Sequence, residues 1–326
     1  MVERSEAVEP GLLVPEAEIL APRRPWWRTA LRIAVRKPLG TMSGLIILVL
    51  VVSAMASWPP WLFGLEPFSA GAPVVARYDP ELVHETFNEE LGYIAIVDKG
   101  PPTGEAWLGT DKQGRDIYAR IVWGARRSLQ VGVLSLIIGT VIGVAIALVS
   151  AYARGVGDLI IQRFMDAFQA FPPLLFLILW LTMMDVTIRN LIIALGIVGV
   201  PQVSRIVRSV ILQVREMPYV EAARALGASA PRIMLRHILP NVMAPIIIVF
   251  SIGIGVVILA EAALAFLLLA PPGVSWGQML SEGRQFVSDS PWQALFSGMA
   301  ITLAVLGFNL AGDALRDILD PRLRMG

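Results

Sequence analysis

Residues 219–241 read YVEAARALGASAPRIMLRHILPN and separate two long apolar runs, 191–212 and 244–268. Each run has the roughly 20 apolar residues that a helix needs to cross the hydrocarbon core of a bilayer. The segment between them concentrates charge, with Glu221, Arg224 and Arg232, and it contains glycine and proline. The pattern predicts an aqueous loop between two membrane-spanning helices, and hence an α-helical membrane protein.

The composition of the whole chain agrees with a membrane protein. Hydrophobic residues make up 56% of the 326 residues and charged residues 16%, against about 45–50% and about 25% in soluble domains. Cysteine is absent and there are only two histidines, so a disulfide framework and a thiolate metal site are excluded and no metal site is predicted. A net charge of +1 does not point to a nucleic-acid partner.

Six stretches have the length and apolarity of membrane-spanning helices. They are 39–57, 131–152, 164–184, 191–212, 244–268 and 293–312. Pro172, Pro173 and Pro201 fall inside the third and fourth stretches, where proline bends a helix. Gly139 and Gly143 form a G-x-x-x-G pair that predicts close helix packing, either within the chain or with another subunit. The predicted fold is all-α with six transmembrane helices.

The distribution of basic residues predicts the orientation. With both termini cytoplasmic, the short outer loops carry only Arg189 and Arg284, and the other arginines of the short loops lie inside. The regions are then a cytoplasmic tail with a basic amphipathic segment (1–38), the first helix (39–57), an extracytoplasmic segment (58–130), a five-helix core (131–312) with a cytoplasmic coupling loop (213–243), and a cytoplasmic carboxyl tail (313–326). Pro and Gly predict an irregular extracytoplasmic element.

Two short helices meeting at a glycine are predicted within the loop. Pro218 suits the first position of one helix and Gly227 a left-handed cap at its end. Ser229 can cap a second helix, which Pro240 forces to end near Leu239. Alanines make the first helix slim enough to enter a groove on another protein. The alternative is an amphipathic loop on the membrane surface, with its arginines held by lipid phosphates.

The spacing of this loop resembles the cytoplasmic signature of binding-protein-dependent ABC importer permeases. That signature is Glu-Ala-Ala, three residues, Gly, nine residues, and then a position followed by x-Leu-Pro. The positions that carry the resemblance, and that we assign to ATPase coupling, are Glu221, Ala222, Ala223, Arg224, Leu226, Gly227, His237, Leu239 and Pro240. The general pattern has Ile at the place of His237, and histidine there is similar to the dipeptide and oligopeptide (peptide/nickel) branch.

Other segments resemble the second, C-type permease of that branch. They are LGTDKQGRDIYARIVWGARRSL (108–129), SWGQMLSEGR (275–284) and GDALRDILDPRLR (312–324). The chain departs from the family at Leu268 and Ala270, where its members usually carry glycine before Pro-Pro. Loss of these glycines is expected to stiffen the outer end of the fifth span.

The resemblance implies a type I ABC importer permease fold in a bacterial inner membrane and a transport subunit that is not an enzyme. The implied partners are a homologous second permease, two cytoplasmic ATPase subunits, an extracytoplasmic solute-binding protein and lipid. No Walker A sequence occurs in the chain, so ATP and magnesium are expected on the ATPase subunits and no cofactor on this chain. The implied cargo is a peptide, with nickel or another small solute as the alternative. Segments 58–127 and 275–284 either contact the binding protein or cover the spans.

Charged residues within the spans are costly in lipid and are expected to face protein or water. Glu261 lies in the fifth span, either as a pathway or gate residue or in a buried structural hydrogen bond. Asp166 lies near the inner end of the third span, and Arg205 and Arg208 are expected to extend to the inner headgroups. An ion-coupled secondary transporter, with Glu261 or Asp166 as its ion site, is the rival interpretation.

Overall fold

The computed structural model of the chain describes residues 38–56, 83, 85–88, 93–96, 99–153 and 155–319. The predicted tail 1–37, most of segment 57–98 and residues 320–326 lie outside the described residues. The longer elements, in chain order, are α1 (Pro38–Ala56), β1 (Glu85–Asn88), β2 (Tyr93–Ile96), α2 (Ile117–Ala153), α3 (Gly155–Ala170), α4 (Pro173–Met183), α5 (Ile188–Val214), α6 (Pro218–Ala225), α7 (Met243–Phe266), α8 (Trp276–Gly283) and α9 (Trp292–Leu319). The predicted helical class is confirmed.

The segment between α1 and α2 contains a small β-hairpin that the sequence analysis treated as irregular. Strands β1 and β2 pair antiparallel, with Glu85 opposite Ile96 and Asn88 opposite Tyr93. A strand of four residues is too short for its alternation of apolar and polar residues to be recognised from sequence. The difference adds a local element and leaves the helical architecture unchanged.

Four helical stretches of the described chain are long and apolar enough to cross a bilayer, and the α3–α4 pair can supply a fifth. The axes of α3 and α4 differ in direction by 82°, because Pro172 adopts an extended conformation and Pro173 begins the next helix. Pro201, in contrast, lies inside α5 without interrupting it. Helix α1 is also apolar, and the count of six spans remains a prediction.

Glycines bring α2 and α5 into close contact. A Cβ atom at Gly139 would lie 2.7 Å from the carbonyl oxygen of Gly196, and one at Gly143 would lie 2.9 Å from the Cβ of Val203. Neither distance can accommodate a side chain without movement of a backbone. The G-x-x-x-G pair therefore packs two helices of this chain together.

The connection between α5 and α7, residues 215–242, is anchored in its own apolar cluster. Val220, Ile233 and Ile238 from this α5–α7 loop are buried together with Val207 of α5 and Ala147 of α2. A second, larger cluster joins α2, α5, α7 and α9. The loop is thus packed against the ends of the two most closely associated helices of the bundle.

Candidate functional site

Helix α6 begins at proline, as the sequence predicts. Met217 is extended and Pro218 occupies the first turn, where its missing N–H would have no partner in any case. The backbone N–H groups of Val220 and Glu221 donate to the Met217 carbonyl at 2.9 and 3.2 Å. These bonds set the starting point of the helix.

The end of α6 is a Schellman motif centred on Gly227, which confirms the predicted left-handed cap. Gly227 has a φ of +79°, and its N–H donates to the Arg224 carbonyl at 3.0 Å. The N–H of Ala228 donates to the Ala223 carbonyl at 3.0 Å. These two bonds define the motif and satisfy carbonyls that the helix leaves unpaired. Both ends of α6 are therefore held by the backbone.

The two faces of α6 differ in exposure. Val220 is fully buried in the cluster that contains Ile233, and Ala223 is 9% exposed. Glu221, Ala222 and Arg224 are exposed. Leu226 is 89% exposed. A short helix that is fixed on one face thus presents small and apolar groups on the other.

Sequence reasoning missed part of this exposed face. Tyr219, Met217 and Leu235 are 43%, 45% and 61% exposed, so the loop presents several large apolar groups. The signal was available for Tyr219, since Tyr219, Ala222 and Leu226 follow the i, i+3, i+7 spacing of one helical stripe. We call the stripe Tyr219, Ala222 and Leu226 the α6 face. Clustered exposed apolar side chains are typical of interaction sites.

The predicted stop at Pro240 is wrong, because the chain stays helical through it. A helical turn at Ala230–Arg232 continues as a π-helical turn, Ile233–Ile238, and a 3-10 turn, Leu239–Val242, which leads directly into α7. The wider π turn makes room for a proline ring that would clash with the carbonyl four residues earlier in a regular helix. Ser229 also makes no side-chain cap, although its carbonyl accepts from the Ile233 N–H at 3.0 Å.

The remaining signature positions lie on this continuous connection. His237 and Leu239 are partly buried and Pro240 is exposed. Leu239 packs against the cluster that holds Val220, and the Asn241 side-chain amide donates to the His237 carbonyl at 2.7 Å. The signature therefore covers two structural parts, which are an exposed helix and the turn that joins it to α7.

Two ion pairs tie α3 to α5. Asp158 pairs with Arg208, whose Nε lies 2.8 Å from a carboxylate oxygen, and Asp166 pairs with Arg205 at 2.6 Å. Both arginines therefore have carboxylate partners within the chain, and their extension to lipid headgroups remains a prediction. Their carboxylate partners lie on a helix 39 and 50 residues away along the chain, and local sequence does not show such a pairing.

Glu261 lies inside the bundle. The residue is 1% exposed, and its carboxylate accepts from the Ser128 hydroxyl of α2 at 3.3 Å. The other carboxylate oxygen, Oε1, is buried without a hydrogen-bond partner among the described residues. This geometry favours the structural hydrogen bond, and the gate role of Glu261 remains a prediction.

The end of the bundle opposite the α5–α7 loop carries a buried ionic network. Arg120 at the start of α2 pairs with Asp111 and lies 3.2 Å from Glu282 of α8. Arg115 Nε lies 2.8 Å from the same Asp111 oxygen, and the Gln293 amide donates to Glu282 at 3.3 Å. The network joins two of the three segments that carry the family resemblance, 108–129 and 275–284. The buried charges of these two segments pair with each other within the chain.

Leu268 adopts the conformation of the glycine it replaces. Its φ is +62°, its N–H donates to the Ala265 carbonyl, and the Leu269 N–H donates to the Leu264 carbonyl. The end of α7 is therefore a second Schellman motif, built with leucine at the left-handed position. The substitution keeps the turn and places a side chain in a conformation that disfavours it.

Comparisons with known proteins agree with this architecture. The family described as binding-protein-dependent transport system inner membrane component matches residues 139–325. The dipeptide transport system permease protein DppC of Alkalihalophilus pseudofirmus is 44% identical over 225 residues, which cover 68% of this chain and 74% of that protein. The glutathione transport system permease protein GsiD of Pectobacterium atrosepticum is 36% identical over 314 residues, 96% of this chain and 95% of that protein.

A solved structure shows the same fold. The MetNI methionine ABC transporter, in inward-facing conformations, has a chain that aligns with a TM-score of 0.53 at 18% identity, over 62% of this chain and 96% of its own length. The family match covers more than half of the chain and the relatives align over most of it. The chain therefore belongs to the family of binding-protein-dependent transport system inner membrane components, as a multi-pass helical permease subunit of an ABC importer of the inner membrane.

Proposed function

We propose that the chain is the second, C-type permease of a peptide importer and forms half of its translocation pathway. The support is the naming of full-length relatives for dipeptide and glutathione transport at 44% and 36% identity. Nickel or another small solute is the alternative cargo. The chain contains no P-loop sequence, so two separate cytoplasmic ATPase subunits would bind ATP and magnesium.

The other proposed partners follow from the same role. A homologous second permease would complete the pathway, and an extracytoplasmic solute-binding protein would deliver the peptide. With both termini in the cytoplasm, the α5–α7 loop faces the ATPase subunits. This orientation is supported by the concentration of Arg224, Arg232 and Arg236 in that loop, in accordance with the positive-inside rule.

The α6 face is the proposed docking surface for an ATPase subunit. The observation that carries this proposal is Leu226, which is 89% exposed at the end of a helix whose other face is buried. A loop lying on lipid headgroups through its arginines would not need a helix fixed at both ends. A rigid helix of small residues suits insertion into a cleft of a protein.

The packing of α6 indicates how its movement would reach the membrane. Val220 and Ile233 share one buried cluster with Val207 of α5 and Ala147 of α2, and residues 230–266 form one continuous helical connection into α7. A displacement of α6 by ATPase closure would therefore move these helices together. Such rigid-body coupling is the physical basis of alternating access.

The test compares Ala222→Trp with Ala145→Trp in the assembled importer. Both alanines are exposed, so neither bulky side chain is expected to disturb the core. Only Ala222 belongs to the α6 face. Ala222→Trp is expected to weaken co-purification of the ATPase subunits at least about tenfold, which corresponds to about 1.4 kcal/mol, and to reduce ATP-dependent uptake. Ala145→Trp is expected to behave as wild type.

Normal ATPase binding and uptake by Ala222→Trp would contradict docking through the α6 face. Peptide uptake by the purified chain without ATP or ATPase subunits would instead support the ion-coupled alternative. Uptake of nickel and not of dipeptides by the complete importer would leave the permease role intact and change the cargo.

A further inference from the structure

The exposed surfaces of the membrane-spanning helices differ in polarity. The side chains that α2 exposes beyond residue 131 are all apolar, namely Leu134, Ile137, Val141, Ile142, Ala145, Val149 and Ala153. The second half of α5 exposes Gln202, Arg205, Ile206, Ser209 and Gln213. The α2 surface suits contact with lipid, whereas the α5 surface is mostly polar over the same part of the bundle.

The ion pair between Asp166 and Arg205 lies on this polar surface. Its side chains are 49% and 53% exposed, although both residues belong to segments apolar enough to span the membrane. Ionised side chains in spans are costly in lipid and face protein or water-filled cavities. The α3–α5 surface that carries the pair therefore faces away from lipid.

A cavity lies at the break between α3 and α4, and two of its lining residues are three positions from the ion pair along α3 and α5. Its volume is about 300 Å³, and its lining includes Gln169, Gln202 and Phe168 together with apolar residues of α7. The side chains of Gln169 and Gln202 are exposed. Gln169 follows Asp166 by three residues on α3, and Gln202 precedes Arg205 by three residues on α5. The rings of Phe168 and Phe176 meet edge to face at 5.1 Å. The cavity thus combines amides and aromatic surface beside opposite charges.

We propose that Asp166, Gln169, Gln202 and Arg205, here called the polar strip, contact a zwitterionic solute as it crosses the membrane. Arg205 would receive its carboxylate and Asp166 its ammonium group, while the glutamine amides bond peptide N–H and C=O groups and the phenylalanines meet apolar side chains. The inference rests on the proposed peptide importer and deepens it by naming the wall of the pathway.

The ion pair between Asp166 and Arg205 limits the affinity of the site for a solute. With the side chains 2.6 Å apart, a solute must separate Asp166 from Arg205 and replace each partner with one of its own charges. After the exchange, Asp166 and Arg205 each still contact one opposite charge, so binding of the solute is favourable but weak. A pathway requires binding that is strong enough for entry and weak enough for release.

Thiol labelling tests the strip directly, since the chain has no native cysteine. The assembled importer in proteoliposomes would carry Gln202→Cys or, as the matched control, Val141→Cys, which replaces a residue 63% exposed on the apolar α2 surface. A charged methanethiosulfonate requires a hydrated thiolate, so we expect Gln202→Cys to react at least about tenfold faster than the control. The dipeptide Ala-Phe, supplied with binding protein and ATP, should slow this reaction.

Equal labelling of the two variants, or labelling of Gln202→Cys that Ala-Phe does not slow, would overturn the inference. Arg205→Met gives a second readout and is expected to lower Ala-Phe uptake about tenfold, while the amount of assembled importer stays at the wild-type level because a half-exposed ion pair contributes little to stability. Absence of Ala-Phe uptake by wild type would overturn the proposed peptide cargo, whereas uptake with an unreactive Gln202→Cys would overturn this inference alone.

Discussion

Breaking the buried ion pair between Asp111 and Arg120 is predicted to destabilise the chain unequally, depending on which partner is removed. Their side chains are 0% and 2% exposed. Asp111→Asn keeps an oxygen that accepts from the Gln113 and Arg115 backbone N–H groups, at 2.8 and 2.9 Å, but removes the charge. Arg120 would then remain buried with only Glu282 as its ionic partner, at 3.2 Å.

The two single substitutions have different expected costs. Leaving a buried cation with one partly exposed partner costs about 3 kcal/mol, at the lower end of the range for broken buried pairs. Arg120→Met costs less, about 2 kcal/mol, because Asp111 retains the Arg115 Nε at 2.8 Å and both backbone donors. The double variant loses both charges, so its cost should fall short of the sum by about 1–2 kcal/mol.

The measurement is the midpoint of unfolding by SDS in mixed micelles, followed by tryptophan fluorescence and converted to free energy of unfolding. Arg115→Met serves as the control, because Arg115 is 15% exposed and its loss leaves the buried pair intact. The reasoning is refuted if Arg120→Met proves more damaging than Asp111→Asn, or if the two substitutions are simply additive.

Two further substitutions test backbone geometry. Leu268→Gly should raise the unfolding midpoint, because a left-handed leucine costs about 1–2 kcal/mol and Leu268 is 73% exposed. The neighbouring Leu267, at a φ of −83°, is the control, and Leu267→Gly should lower the midpoint. An equal effect of both substitutions would contradict the assignment of strain. Gly143→Ala should destabilise by about 1–3 kcal/mol through overpacking against Val203, while Gly44→Ala, which has no neighbour within 4 Å, should be neutral or stabilising in the same assay.

Local chemistry made part of the candidate site predictable from sequence. Proline at Pro218 and glycine at Gly227 have conformational requirements that act within a few residues, and both predictions are confirmed. The path through Pro240 depends instead on a π turn held by buried neighbours, which no local rule contains. Likewise, Arg205 has a carboxylate partner on another helix, Asp166, so its direction depends on the crossing of α3 and α5. The four or five candidate spans of the described chain were predictable from apolarity, whereas their exposed polar surface required the packed structure.

The same pair of residue types is expected to perform two different tasks in this chain because burial differs. Arg120 is 2% exposed and its partner Asp111 is fully enclosed, so no solute can reach either charge and the pair can serve only to hold the start of α2 against the loop that precedes it. Arg205 and Asp166 are each about half exposed beside a cavity that a small molecule can enter. Removal of Arg120 should therefore be felt mainly in unfolding, and removal of Arg205 mainly in uptake, because only the second pair can exchange its partner for a charge on the solute.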